Sequence, residues 1–213
     1  MFPPLTVPDY GSFLAQLNPK IDGVFLGFAG SNGFRYLRQF NEYGLRGKVA
    51  PVGGMTALDE AVLRNMGDEA LGIVTSCWYS AELDNPANRK FAAEFRKEWK
   101  YDPGFYAAAT YVEGAVLESA LTAVKGKVED KNAFMKALRA VKVDTVRGPV
   151  RFDDYGNVIG NVYIRKVERK DGRLVNSVIR TYPDVSQFWT YKPDEFLKNP
   201  VYSRDYPPAK NLE

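Results

Sequence analysis

Three short apolar runs, DGVFLGF (22–28), KVAPVGG (48–54) and ALGIVTSCWYS (70–80), alternate with two segments of helical period, SNGFRYLRQFNEYG (31–44) and ALDEAVLRNM (57–66). A helix between two strands carries the chain back to the same sheet end, so this order predicts parallel pairing and an α/β fold. Phe34, Leu37 and Phe40 recur at core spacing in the first of those helices, and Gly44 stops it. Ahead of them Asp9 can cap a short helix in YGSFLAQLN, with Phe13, Leu14 and Leu17 on one face.

From residue 84 the texture changes. Asp84 or Asn85 is a natural cap with Pro86 in the first turn, and Phe91, Phe95 and Trp99 follow at helical spacing. A longer helix over 105–124 presents Val112, Val116, Ala120 and Val124, and a third opens at Asp130 with Phe134, Leu138 and Val141 inward. The stretch GPVRFDDYGNVIG (148–160) reads as turn-rich. NVYIRKVERKDGRLVNSVIRTYP (161–183) then reads as a hairpin turning at Asp171-Gly172. The aromatic, proline-rich C-terminal stretch reads as an extended tail over the surface.

Several functions are excluded by what is missing. The chain has no histidine and a single cysteine, Cys77. That removes histidine-based triads and histidine or thiolate metal sites, and Cys77 has no internal disulfide partner. No spaced acidic loop suits calcium, and no cofactor is expected. The net charge of +3, from 29 basic and 26 acidic residues, is scattered and leaves no footprint for nucleic acid. No apolar run is long enough to cross a bilayer. MFPPLTVPDY has neither a basic leader nor an apolar signal core, which leaves the compartment open. Adjacent carboxylates at Asp153-Asp154 belong to turn chemistry, since neighbours in an extended chain point apart.

The run GFAGSNG (27–33) sits where a phosphate cradle would, between a strand and a helix. Its spacing is G-x-x-G-x-x-G, it lacks a P-loop lysine, and the next strand ends in Gly53-Gly54 where a ribose-binding acid belongs. Two readings remain: glycines that allow a tight turn and close packing, or a loop facing a ligand cleft. In open α/β sheets the loops at the strands' carboxyl ends line the binding crevice. Here those loops contribute Gly30, Ser31 and Asn32, then Gly54, Met55 and Thr56, then Trp78, Tyr79 and Ser80. Backbone amides, hydroxyls, an amide and two large aromatics suit the orientation of a small organic ligand better than they suit chemistry. Arg35 and Arg38 face solvent in this reading, because Phe34 and Leu37 mark the buried side.

VFLGFAGSNGFRYLRQFNEYGL, PVGG, LGIVTSCWYSAELDNPANRKFAAEFRKEW, FYAAATYVEGAVLESAL and RGPVRFDDYGN, in that order, resemble the periplasmic solute-binding proteins of branched-chain amino acid type ABC transporters. YIRKVERKDGRLVN and VYSRDYPP resemble the branch associated with aromatic acids such as benzoate and hydroxycinnamates. The resemblance implies a type I periplasmic-binding-protein-like α/β fold, with a parallel-sheet lobe and part of a second, mainly helical lobe. It covers only the C-terminal half of such proteins. On that pattern residues 1–76 are part of the second ligand-binding lobe and 77–82 a hinge crossing. Residues 83–146 are then the C-terminal part of the first lobe, 147–160 the return crossing, and 161–213 the hairpin rejoining the second lobe plus a tail.

The resemblance also implies a non-enzymatic, periplasmic binding component whose partners are a small-molecule ligand and a membrane permease. The missing half would hold the serine and threonine groups that usually hold the ligand carboxylate. Phe28, Ala29, Gly30, Ser31 and Asn32 match the loop covering the ligand, Gly54, Met55 and Thr56 the next loop, and Trp78, Tyr79 and Tyr106 positions where the family places aromatics. Leucine-type binders carry an acid near Gly53-Gly54. Its absence here disfavours an amino acid, whose buried ammonium would lack a partner. A flat aromatic acid fits better, since offset stacking contributes about 1 kcal/mol beyond area burial. Trp78 and Phe105 are more often core than contact residues, whereas Tyr79 and Tyr106 favour the site, since a tyrosine can bury its ring and hydrogen-bond with its hydroxyl. Alternatives are a branched-chain amino acid or amide ligand, a sensing module of the same fold, a small enzyme built on Ser31 or Asp59, and self-association through the truncated sheet.

Overall fold

Gly23–Leu26 (β1), Ala50–Gly53 (β2) and Val74–Cys77 (β3) form the parallel ladder that the alternation requires, with Leu26 opposite Gly53 and Val52 opposite Val74. The structure, a computed structural model, describes residues 3–18, 20–201 and 203. The final part of the expected tail, 204–213, lies outside those residues.

Gly11–Leu14 (α1), Ser31–Glu42 (α2) and Glu60–Leu63 (α3) surround this ladder. Tyr10, not Asp9, is the N-cap of α1, although Asp9 accepts from the Gly11 N–H at 2.7 Å from one residue further out. Leu14, Leu37, Phe40, Leu58 and Leu63 bury together with Leu26 in a first core. Two expectations change here. Helix α3 is four residues long, not the ten that its period suggested, and a separate 3-10 turn at Asp68–Ala70 follows it. The first strand is not buried on both faces: Phe25 is 69% exposed, beside an exposed Val52.

Pro86–Trp99 (α4), Phe105–Ala123 (α5) and Lys131–Arg139 (α6) make up the middle of the chain. Asn85, not Asp84, caps α4, accepting from the Asn88 N–H at 2.8 Å. Asp130 caps α6 through the Ala133 N–H at 3.0 Å. Phe91, Phe105, Ala108, Val112, Val116 and Ala120 pack into a second core with Val141, Val150 and Tyr163. Helix α5 is apolar nearly all round, yet Tyr106, Tyr111, Leu117 and Leu121 stay exposed. A groove of about 540 Å³ opens beside it, lined by Val116, Leu117, Met135, Leu138, Phe152 and Val158.

The segment expected to be turn-rich is mostly strand. Lys142–Thr145 (β4) and Gly148–Phe152 (β5) form one hairpin, and only residues 153–157 turn before Val158–Lys170 (β6). Arg173–Val185 (β7) returns along β6 through Asp171 and Gly172, both at positive φ (48° and 77°), the two-residue turn that their chemistry predicts. A short Pro193–Phe196 helix (α7) follows, and Phe188 is buried against Tyr155 and Phe196, so this stretch is more ordered than an extended tail.

Strand β6 ties the molecule together. Its first residues pair antiparallel with β5 (Gly160 opposite Val150), and later ones pair antiparallel with β3 (Tyr163 opposite Cys77). The sheet is therefore mixed, in the order β1-β2-β3-β6-β5-β4 with β7 on the other side of β6. Register shifts fall between Gly160 and Val162 and between Ile164 and Arg165. The first of these lies where β6 passes from one neighbour to the other.

Candidate functional site

Two of the three glycines in the first loop have a local reason. Gly30 stands at φ 59°, a conformation that suits glycine, and turns the chain from β1 into α2. A Cβ at Gly33 would lie 3.2 Å from the Ala57 carbonyl, so α2 approaches the loop after β2 closely. Thr56 completes that contact by donating its hydroxyl to the Phe28 carbonyl at 2.9 Å. The structure thus brings Phe28–Asn32 and Gly54–Thr56 together. Within them, Ala29, Gly30, Ser31 and Met55 are exposed. The Phe28 ring instead packs inward, 4.8 Å from Tyr36 and 5.5 Å from Tyr10. Asn32 donates to the Leu5 carbonyl at 3.2 Å and accepts from Arg35.

The loop after β2 leads to Asp59, which caps two helices. Its carboxylate accepts from the Ala61 N–H at 3.3 Å, at the start of α3, and from the Phe105 N–H at 2.9 Å, at the start of α5. Gly104 permits this, because a side chain there would collide with the Asp59 carboxylate. The shared cap fixes the aromatic start of α5 beside β3. Trp78 meets Phe105 edge-on at 5.9 Å, and Phe105 lies 4.2 Å from Tyr106, a residue 72% exposed. Trp78, Phe105 and Tyr106 form a row, with the Arg147 guanidinium 4.3 Å above the Trp78 ring. Asp59→Ala should cost about 2–3 kcal/mol of unfolding free energy, because a buried donor at Phe105 loses its acceptor along with a cap. Urea denaturation with an unchanged m-value would measure it.

Tyr79 departs from its expected role. Its ring is 0% exposed and its hydroxyl donates to Asn88 Oδ1 at 2.9 Å, so it belongs to the second core and not to the ligand row. The cause is a buried polar junction where β3, the chain after it, β6 and β7 meet. Asn88 donates in turn to the carbonyls of Ala81 and Leu83 at 3.1 and 2.9 Å. Ser80 donates to the Asn176 carbonyl at 2.6 Å, and Asn176 to the Leu58 carbonyl at 2.9 Å. Arg165 donates to the Tyr79 carbonyl at 2.8 Å and to Thr75 Oγ1 at 3.2 Å, and faces Glu60 at 3.6 Å. Burial pushes the Glu60 carboxyl up to about 7, against the pull of Arg165. Burial also raises the Tyr79 hydroxyl and the Cys77 thiol, and lowers Arg147 to about 10.

Among the described residues no three histidine, cysteine, aspartate or glutamate side chains gather as a metal site, and no helix is long and apolar enough to cross a membrane. The arrangement offers exposed loop backbone, an aromatic row and one cation, which suits holding a flat ligand. Arg147, the double cap of Asp59 and the Glu60–Arg165 pair escape a reading of the sequence. Asp59-Glu60 before an apolar run was a visible cap signal for α3, but nothing local points to α5.

The family described as periplasmic binding protein matches residues 1–173. Among solved structures, an ABC transporter substrate-binding protein from Sphaerobacter thermophilus is similar at 30% identity and a TM-score of 0.81, over 85% of this chain and 51% of that one. A solute-binding protein of an ABC transporter from Rhodopseudomonas palustris BisB5, in complex with 3,4-dihydroxybenzoic acid, is similar at 33% identity and a TM-score of 0.78, over 86% and 51%. The curated Leu/Ile/Val-binding protein homolog 6 of Brucella abortus (strain 2308) is 28% identical over 189 residues, 84% of this chain and 47% of that relative. The chain spans about half the length of the curated relatives it matches.

Proposed function

The chain belongs to the periplasmic binding protein family, and from that premise we propose that it supplies one half of the ligand-binding body of an extracytoplasmic solute-binding protein serving an ABC importer. It holds its ligand without chemistry, and the closed form docks on the membrane permease. The observation that carries this reading is the edge built from Phe28–Asn32, Gly54–Thr56 and the Trp78–Phe105–Tyr106 row, on a chain similar to a protein solved with an aromatic acid.

In this reading residues 1–76 and the hairpin 161–213 belong to one lobe and 83–146 to the other, with crossings at 77–82 and 147–160. The two cores and the register shift near Gly160 support that division, although Tyr163 at the start of the hairpin packs into the second core. Ligand that touches both lobes only when they are closed shifts the population toward the closed form. The uncovered faces around Phe25 and along α5 are where the remaining half of the fold would pack, or where two copies would associate.

An aromatic carboxylate is the favoured ligand. No carboxylate stands at Gly53–Thr56 to receive an ammonium group, and the exposed Tyr106 ring offers a stacking face. A branched-chain amino acid is the second reading, favoured by the curated relative's name. Isothermal titration with 4-hydroxybenzoate, benzoate and leucine separates them. The expected result is saturable heat with an aromatic acid, at an affinity at least about tenfold above that for leucine. Heat with leucine alone would remove the aromatic reading.

A further inference from the structure

Arg147 is set apart from the arginines that have acidic partners. Arg89, Arg96, Arg151, Arg165, Arg169 and Arg173 each face a carboxylate. Arg147 faces none among the described residues. Its Nη2 donates to the Asn161 carbonyl at 3.3 Å, its buried Nε has no partner, and Nη1 donates to no described residue. Burial lowers its pKa only to about 10, so it is a cation at neutral pH. A half-desolvated cation without a counter-ion is costly, and an incoming anion would offset that cost.

The backbone that carries it is also held in place. Tyr163 donates its hydroxyl to the Arg147 carbonyl at 2.7 Å, and the Arg147 N–H donates to Thr145 Oγ1 at 3.2 Å. A Cβ at Gly160 would lie 3.3 Å from Nη2, so glycine there leaves room for the guanidinium. Its Cζ lies 4.3 Å from the Trp78 ring centroid, at one end of the row that continues through Phe105 to Tyr106. A guanidinium presents a planar fork that matches a carboxylate with two parallel hydrogen bonds.

We propose that Arg147 is a further receptor for the ligand's carboxylate, beside the serine and threonine groups expected of the other half, with the ligand ring against the half-buried Trp78 and the exposed Tyr106 and with Phe105 backing them from the core. This deepens the solute-binding reading and rests on it. It adds a charged receptor on the half of the fold described here.

The test is titration of the wild-type chain, Arg147→Met and Arg147→Lys with 4-hydroxybenzoate, its neutral analogue 4-hydroxybenzamide, and leucine. Near-UV circular dichroism checks that each variant keeps its fold. Arg147→Met should weaken 4-hydroxybenzoate by about 10- to 100-fold, the span expected for a charge-assisted hydrogen bond. The amide should change little, and Arg147→Lys should fall between, because it keeps the charge and loses the fork. Equal 4-hydroxybenzoate affinity in wild type and Arg147→Met overturns the assignment while leaving the solute-binding reading intact. If the wild type takes leucine and refuses the aromatic acid, the aromatic class falls. The receptor role then stands or falls on whether Arg147→Met weakens leucine, which also carries a carboxylate. Silence from the wild type with all three probes overturns both ideas for this chain.

Discussion

Replacing Arg165 with alanine should lower the unfolding free energy by about 3–5 kcal/mol, as much as some domains possess in total. Arg165 is 0% exposed and is the largest fully buried side chain described. Truncation leaves a cavity at the junction of the two cores, removes the donor at the Tyr79 carbonyl and the partner of Thr75, and strips Glu60 of its nearby cation. Two further variants separate volume from charge. Arg165→Met refills most of the space, and Arg165→Met combined with Glu60→Gln also removes the stranded acid. The double variant should therefore be more stable than the sum of its single changes predicts, because the residues share one network. Urea denaturation of wild type, Arg165→Ala, Arg165→Met, Glu60→Gln and the double variant at pH 7 measures this. A loss in Arg165→Ala no greater than about 1 kcal/mol would mean that the junction contributes far less than its burial implies.

Arg165 also shows where reading the sequence stops. In NVYIRKVERK it stands among other charged residues in an imperfect alternation, with no mark of burial. What buries it is position: β6 has β3 on one side and β7 on the other at that point, and a bulge between Ile164 and Arg165 shifts the register there. Features set by local chemistry were legible. The Asn85 cap with Pro86, the span of α5 and the Asp171-Gly172 turn all follow from neighbouring residues. Features set by distant partners were not. The β4–β5 hairpin has strands of four and five residues, and its place in the sheet is set by pairing with β6.

The candidate site divides the same way. The three loops at the strand ends were readable from strand order, and the Thr56–Phe28 bond joins the first two. Tyr79 and Trp78 are adjacent and look alike in sequence, but Asn88 takes the hydroxyl of Tyr79 into the core while Trp78 stays half-buried under Arg147. A polar tip on an aromatic ring does not indicate whether its partner will be a ligand or the protein. The Asp59 carboxylate, reaching Phe105 across 46 positions of sequence, could be assigned only from structure.

Between pH 5 and pH 8 the stability of this chain should fall as pH rises, and Glu60 should be the cause. The chain has no histidine, so the side chain that normally titrates in this window is absent. Cys77, Tyr36, Tyr79 and Tyr163 have values raised from 9 or above, Arg147 stays near 10, and Asp153 is lowered from 3.8. Glu60 rises from an ordinary 4.5 to about 7, because burial disfavours its charge more than Arg165 restores it. Its folded form therefore binds the proton more tightly than the unfolded chain does. The resulting stabilisation is fully present below pH 4.5 and is lost as pH rises through about 7. At about 1.4 kcal/mol per pH unit the whole effect is on the order of 3 kcal/mol. Glu60→Gln removes the titrating group while keeping its size, so the stability of that variant should be nearly flat from pH 5 to pH 8. Denaturation midpoints of both chains across that range decide it. A wild-type chain whose stability is level or rises through the window would show that Arg165 outweighs burial and keeps Glu60 ionised.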